Sequence, residues 1–309
     1  MSSISSAFSL RSSASEKIRR KDELAGWIFA APAVLGFIIF VLGPMLFSLY
    51  LSFTDYTIVI KPNFTGFSNY IELFTSPVSN FYQALKVTAY YVFLSVPLQI
   101  IFSYAMAMLL NQNVKALGFF RTVYYLPTIV PLAASSMVWL WLLNPDLGFL
   151  NEILRSLGLP TSQWLYDDRT VIPTLVLMSL WSVGGTMLIF LASLQEIPRV
   201  YYEAIHIDGG NSFHKLVYVT IPMTTATVFF NLVMGLINGF QVFVQPYIMT
   251  EGGPSNSSLM YVYYLFKQAF TVQKMGFACA IAWILFIIIM VFTVIVFKSS
   301  RSWVYYEGE

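Results

Sequence analysis

Four side-chain amides are the chemistry least at home in their surroundings. Asn231, Asn238, Gln241 and Gln245 follow one another at steps of seven, three and four residues, with Phe230, Phe240 and Phe243 interleaved. That spacing puts the amides on one face of a helix. The stretch around them, 223–249, is otherwise strongly apolar, and an amide stripe turned toward lipid is costly. It has to face a protein interior. Two uses fit: hydrogen bonds to neighbouring helices, the plainer reading for Asn231 and Gln245, or the lining of a polar path, favoured for Asn238 and Gln241. In the preceding apolar stretch, Trp181, Ser182, Gly184, Gly185 and Thr186 lie at mid-depth, where small residues leave room for a ligand. Tyr90, Tyr91, Gln99, Ser135 and Ser136 are weaker candidates, read better as packing.

Other chemistries are excluded by inventory. The two histidines, His206 and His214, share one polar connection without HExxH spacing, and the single cysteine, Cys279, sits in an apolar run. No metal cluster, nucleophile with its base, or disulfide within the chain follows from these. No GxxxxGK[ST] phosphate-binding loop occurs, so the chain has no nucleotide site of that kind. A net charge of +2 is too small to suggest a nucleic-acid partner. An ion-driven carrier needs Asp, Glu or His within the membrane, and none can be placed there. The third, fourth and fifth apolar stretches lack Arg and Lys; Lys86, near one end of the second, can snorkel to the interface, and Lys298 closes the sixth. An anionic cargo would favour such a charge, so the inventory points to a neutral one.

The elements that must hold these groups are membrane spans. Of 309 residues, 57% are apolar and 10% charged, too little polar surface for a water-soluble globule. The apolar runs are continuous and about 20 residues or longer, enough to cross ~30 Å of hydrocarbon as helices, whereas a barrel would alternate in short segments. Six spans are expected at 26–53, 83–110, 122–143, 172–194, 223–249 and 278–298, flanked by a polar tail at 1–25 and a short one at 299–309. Pro32, Gly43, Pro44, Pro97, Pro127, Pro131, Gly184 and Gly185 are tolerated within such a bundle as kinks and close-packing points. Trp27, Trp139, Trp141 and Trp303 fit an interfacial belt. The tail residues Arg11, Lys17, Arg19, Arg20 and Lys21, with Lys115, Arg121, Arg199, Lys215, Lys298 and Arg301, make eleven of the seventeen basic residues. All eleven fall on one side of a six-span arrangement, which places both termini in the cytoplasm. No short hydrophobic core with a small-residue cleavage site is present, so the first span reads as a retained anchor.

The connection 195–222, QEIPRVYYEAIHIDGGNSFHKLVYVTIP, is longer than two adjacent helices need. Pro198 suits a first helical turn and Asp208-Gly209 a glycine stop; a second short segment carrying Phe213, Leu216, Val217 and Val219 closes at Ile221-Pro222. Such a helix–turn–helix presents apolar surface, either to a partner or to the inner leaflet.

Glu203-Ala204, Asp208-Gly209 and the closing Ile221-Pro222 resemble, in type and spacing, the EAA loop of permeases in ATP-binding-cassette importers. PAVLGF, SLYLSFTDY, GFSNY, FFRTVYYLP, NPDLGFLN and EGGPSNSSL extend the likeness along almost the whole chain. Together they resemble the first permease of maltose-type carbohydrate importers. Ile205 and Gly210 depart from the pattern, each standing where Ala is common. The resemblance implies an all-α, six-span permease of the type I importer fold in the bacterial inner membrane. It implies a second, similar permease, two cytoplasmic ATPase subunits that hold the ATP and Mg²⁺, and an external sugar-binding protein, which the EGGPSNSSL loop could touch. Tyr202, Glu203, Ala204, Ile205 and Phe213 would grip the ATPase, Asp208, Gly209 and Gly210 would form the turn, and Pro222 would open the fifth span. The cargo contacts would lie on spans four and five, with a neutral saccharide expected and a phosphorylated or acidic one as the alternative.

Overall fold

The computed structural model describes residues 23, 25–59, 61–77, 79–112 and 115–305. The basic cluster of the amino-terminal tail lies outside them. Three helices are straight enough and apolar enough to span a membrane alone: α1 (Ala25–Leu51), α3 (Phe81–Leu110) and α13 (Met275–Ser300). Three more spans are bent pairs. These are α4 (Leu117–Ile129) with α5 (Leu132–Leu142) at 98°, α7 (Val171–Trp181) with α8 (Gly184–Glu196) at 52°, and α10 (Ser212–Met223) with α11 (Thr225–Phe240) at 60°. Counting each pair once gives the six expected spans. Shorter helices α2 (Ser68–Thr75), α6 (Phe149–Ser156), α9 (Arg199–Ile207) and α12 (Tyr261–Phe266) lie in the connections. One isolated bridge, Thr54 to Phe64, is the sole β pairing among the described residues.

The bends occur where the backbone forces them. Pro131, with ψ 132°, is extended and has no amide to continue the ladder, so the third span folds back on itself instead of running straight over 122–143. The fifth span ends its regular helix at Phe240, and a wide π turn at Pro246–Thr250 carries the rest of the expected 223–249 segment. Pro44 and Pro97 are absorbed with less effect: a π turn at Ile38–Leu42 precedes the first, and α3 runs through the second.

Helix α3 is the axis of the bundle, packed by α7, α8, α11 and α12. Toward one end its Phe81, Val92 and Val96 meet Leu175, Phe240, Tyr261 and Ile281 in a buried cluster. Toward the other, Ala107 and Leu110 meet Met187, Phe190, Leu194, Ile197 and Val219. Close approach needs missing side chains. A Cβ at Gly235 would come 2.9 Å from Val96 Cγ1, and one at Gly184 would come 2.4 Å from the Tyr124 carbonyl. Small residues thus let α11 seat on α3 and α8 on α4. Helix α1, in contrast, buries 6% of its most apolar window, as expected of a helix facing lipid or another chain.

The NPDLGFLN stretch forms a knot in the connection after α5. Asn144 Oδ1 accepts from the amides of Asp146 and Leu147 at 3.0 and 2.9 Å. The fully buried Asn151 donates to the Pro145 and Ser162 carbonyls at 2.8 and 2.9 Å, and accepts from the Ser162 amide and Trp164 Nε1 at 3.1 and 2.9 Å. Every donor and acceptor position of that amide that geometry can reach is used. Asn151→Leu should therefore leave several polar groups unpaired and cost about 3 kcal/mol. Limited proteolysis between 144 and 170 should speed up sharply; an unchanged cleavage rate would show that the knot is not what orders the loop.

Candidate functional site

A cavity of ≈ 400 Å³ opens between α3, the α7–α8 bend and α11. Asn231, Asn238, Gln241, Gln245 and Ser182 line it, together with Tyr91, Ser95, Gln99, Ser179 and Thr186. The four amides line one space, although Gln241 and Gln245 lie beyond the end of the regular helix at Phe240 and so do not share its face. Among the described residues, no charged side chain lines this cavity. Asn231 is buried and donates to the Thr227 carbonyl of its own helix at 2.9 Å, so among the described residues it bonds no neighbouring helix. Gln245 Oε1 is buried with no hydrogen-bond partner. An orphan acceptor of this kind is costly unless something else supplies the donor. Asn238 and Gln241 are exposed to the cavity side of the bend that ends α11.

A smaller space of ≈ 280 Å³ sits in the elbow of the third span and shares Leu132, Ser182 and Gln245 with the first. Trp181 lines this elbow, not the main cavity, with its ring edge-on to Trp139 at 6.0 Å. Trp139 is half-buried and packs partly against the protein core. Gly185 lines neither space; a Cβ there would make ordinary contact with Thr128 Cγ2 at 3.6 Å. The nearby residue with no room for a Cβ is Gly184. Ser95 and Ser179 escaped notice in the sequence because a hydroxyl in an apolar helix can bond its own backbone, and Ser179 does so, to Val176 O at 2.6 Å.

The other candidate site is the helix–turn–helix. Helix α9 ends at Asp208, Gly209 reverses the chain with φ +77°, and Asn211 caps α10 by accepting from the His214 amide at 3.0 Å. Glu203, Ala204, Asp208 and Phe213 are exposed, as gripping residues must be, and so is Ile207, at 85%. Ile207 is the most exposed apolar residue of the pair and was missed in the sequence because it follows the helix's last inward turn. Tyr202 and Ile205, in contrast, turn inward and pack on the cluster around Phe190 and Leu194. They face the bundle and not the exposed side of the helix–turn–helix handle. Pro222 stands in the last turn of α10, just before the bend at Thr224.

The two departures at 205 and 210 are one feature. A Cβ at Gly210 would come 2.4 Å from Ile205 Cγ2. The larger side chain at 205 fills the space that an alanine at 210 would need. Gly210→Ala should destabilise the handle by about 1–3 kcal/mol, and Ile205→Ala should relieve most of that cost in the double variant. Thermal unfolding of the three variants measures the coupling; strictly additive effects would rule it out.

A family model for the binding-protein-dependent transport system inner membrane component matches residues 91–301. The chain is 40% identical over 294 residues to the probable ABC transporter permease protein YesP of Bacillus subtilis, covering 94% of each. It is 31% identical to the lactose transport system permease protein LacF of Rhizobium radiobacter, over 92% of this chain and 97% of the relative. Among solved structures, the permease of a bacterial alginate ABC transporter in complex with an alginate pentasaccharide-bound periplasmic protein superposes with a TM-score of 0.79, at 21% identity and with 93% and 96% of the chains covered. That likeness is one of fold. With the matched model spanning most of its length and close relatives along nearly all of it, the chain belongs to the family of inner-membrane permeases of binding-protein-dependent ABC transport systems, the membrane-spanning and non-catalytic part of such a transporter.

Proposed function

We propose that this permease forms half of the path of an ATP-driven importer of a neutral sugar or oligosaccharide. The observation that carries the reading is the ≈ 400 Å³ cavity, lined by five amides and several hydroxyls and, among the described residues, by no charge. Amides and hydroxyls can replace the water around sugar hydroxyls, and an uncharged lining offers nothing to neutralise an acid. Relatives named for lactose, arabinooligosaccharide and trehalose/maltose transport support the class. The alginate transporters share the fold at 21% identity, which does not carry an acidic cargo to this chain.

In this reading the exposed face of α9 and α10 is held by a cytoplasmic ATPase subunit, and both termini lie on that side. The ATPase pair binds ATP and Mg²⁺. A second permease completes the path, since six spans enclose little space alone, and an external binding protein delivers the sugar. Closure of the ATPases moves the handles and turns the path outward, a rigid-body change of the hinge and shear kind. Gly209, in the left-handed region, cannot be replaced by a β-branched residue without straining the turn.

Uptake by the complete complex in proteoliposomes should require ATP and the binding protein. Asn238→Leu with Gln241→Leu should cut uptake at least tenfold while the ATPase subunits still co-purify. Loss of assembly would make the amides structural, and uptake driven by an ion gradient alone would reject the importer reading. Thermal stabilisation of the binding protein by neutral but not uronic or phosphorylated saccharides separates the cargo classes.

A further inference from the structure

The 60° bend at Thr224 separates the handle from the helix that carries the amide stripe. An unsupported bend there would absorb any push on the handle. It is instead bridged by a row of hydroxyls. Tyr202 of α9 places its Oη 3.1 Å from Thr220 Oγ1, which donates to the Lys215 carbonyl at 3.1 Å. Tyr104 of α3 places its Oη 2.9 Å from Thr224 Oγ1, which donates to the Thr220 carbonyl at 2.8 Å.

The reason lies in the bend itself. The Thr224 amide donates to Ile221 O at 3.2 Å, not to the carbonyl of Thr220 four residues back. The freed Thr220 carbonyl faces a site where Thr224 is fully buried and Thr220 is 9% exposed. It accepts from Thr224 Oγ1, and Tyr104 Oη lies 3.4 Å away. In a dry setting such a network is rigid only while every member is paired. Phe190 packs edge-on against the Tyr104 ring at 5.1 Å and fixes its direction.

We propose that Tyr202, Thr220, Tyr104 and Thr224 form a lock across this bend. It ties the handle to α3 on one side and to α11 on the other, so that handle, second span and amide-bearing helix turn as one body. Tyr104 and Tyr202 are positioning residues: they touch neither cargo nor nucleotide. A static elbow would be served as well by phenylalanine at both places, because the rings alone fill the space; the hydroxyls add a defined angle. The inference rests on the reading that an ATP-driven subunit grips α9 and α10.

Hydrogen exchange of the complete complex, with and without ATP and vanadate, tests it. In the wild type, ATP trapping should change exchange both at 199–215 and at 225–240. Tyr104→Phe, which removes one oxygen, should leave the change at 199–215 intact and reduce that at 225–240 about fivefold, the loss expected from one hydrogen bond. Thr224→Val removes that bond from its other end together with the Thr224 Oγ1 donation to the Thr220 carbonyl, and should reduce the change at 225–240 at least as much. The double variant should be no worse than Thr224→Val alone. Tyr50→Phe, an exposed tyrosine on α1, serves as the control. Full transmission to 225–240 in both single variants, or losses that simply add, would overturn the lock. Absence of any ATP-dependent change at 199–215 in the wild type would instead reject the gripping subunit itself.

Discussion

Within an apolar medium every backbone amide and carbonyl must find its partner inside the protein, and this constraint governs the whole chain. A helix meets it automatically; a bend does not. The three sharp bends are therefore informative in themselves. At Pro131 the broken ladder borders a polar elbow lined by Ser135, Thr128 and Gln245. At the α7–α8 junction the break borders the amide-lined cavity, and Thr128 Oγ1 reaches the Ser182 carbonyl at 3.5 Å. At Thr224 the freed carbonyl is taken up by hydroxyls. Breaks are tolerated where polar groups are already gathered, so the irregular backbone and the functional surface coincide.

The spans and the amide face were legible because each rests on a strong periodic signal. Continuous apolar runs fix the number of crossings, and the step of seven from Asn231 to Asn238 fixes a helical face within α11, while Gln241 and Gln245 reach the same cavity past the helix end at Phe240. The bends were not legible. Proline in a membrane helix is compatible with a gentle kink, as at Pro97 within α3, or with a 98° fold, as at Pro131. The difference lies in what packs beside the proline, which a local reading cannot supply. Inward or outward orientation on the short helix α9 was misjudged for a related reason. Tyr202 and Glu203 are adjacent in sequence but face opposite environments, and which side carries the load depends on where α8 and α10 sit.

Two signals that look alike in sequence proved physically different. NPDLGFLN and the turn at Asp208-Gly209 are both runs of Asn, Asp and Gly between helices. The first is consumed internally, with Asn151 satisfied on every side by Pro145, Ser162 and Trp164. The second leaves Asp208 and Ile207 facing outward. In the first the amide of Asn151 is spent on holding the loop together, whereas the second holds its shape with a single glycine and an asparagine cap.

The interlocked pair at 205 and 210 also bears on how such handles are exchanged between transporters. Ile205 belongs to the first short helix and Gly210 to the turn, yet each is shaped around the other. A chimera whose crossover falls between them would inherit a steric mismatch even if both parents are functional. Recombination is expected to succeed when the segment from 205 to 210 travels as one cassette.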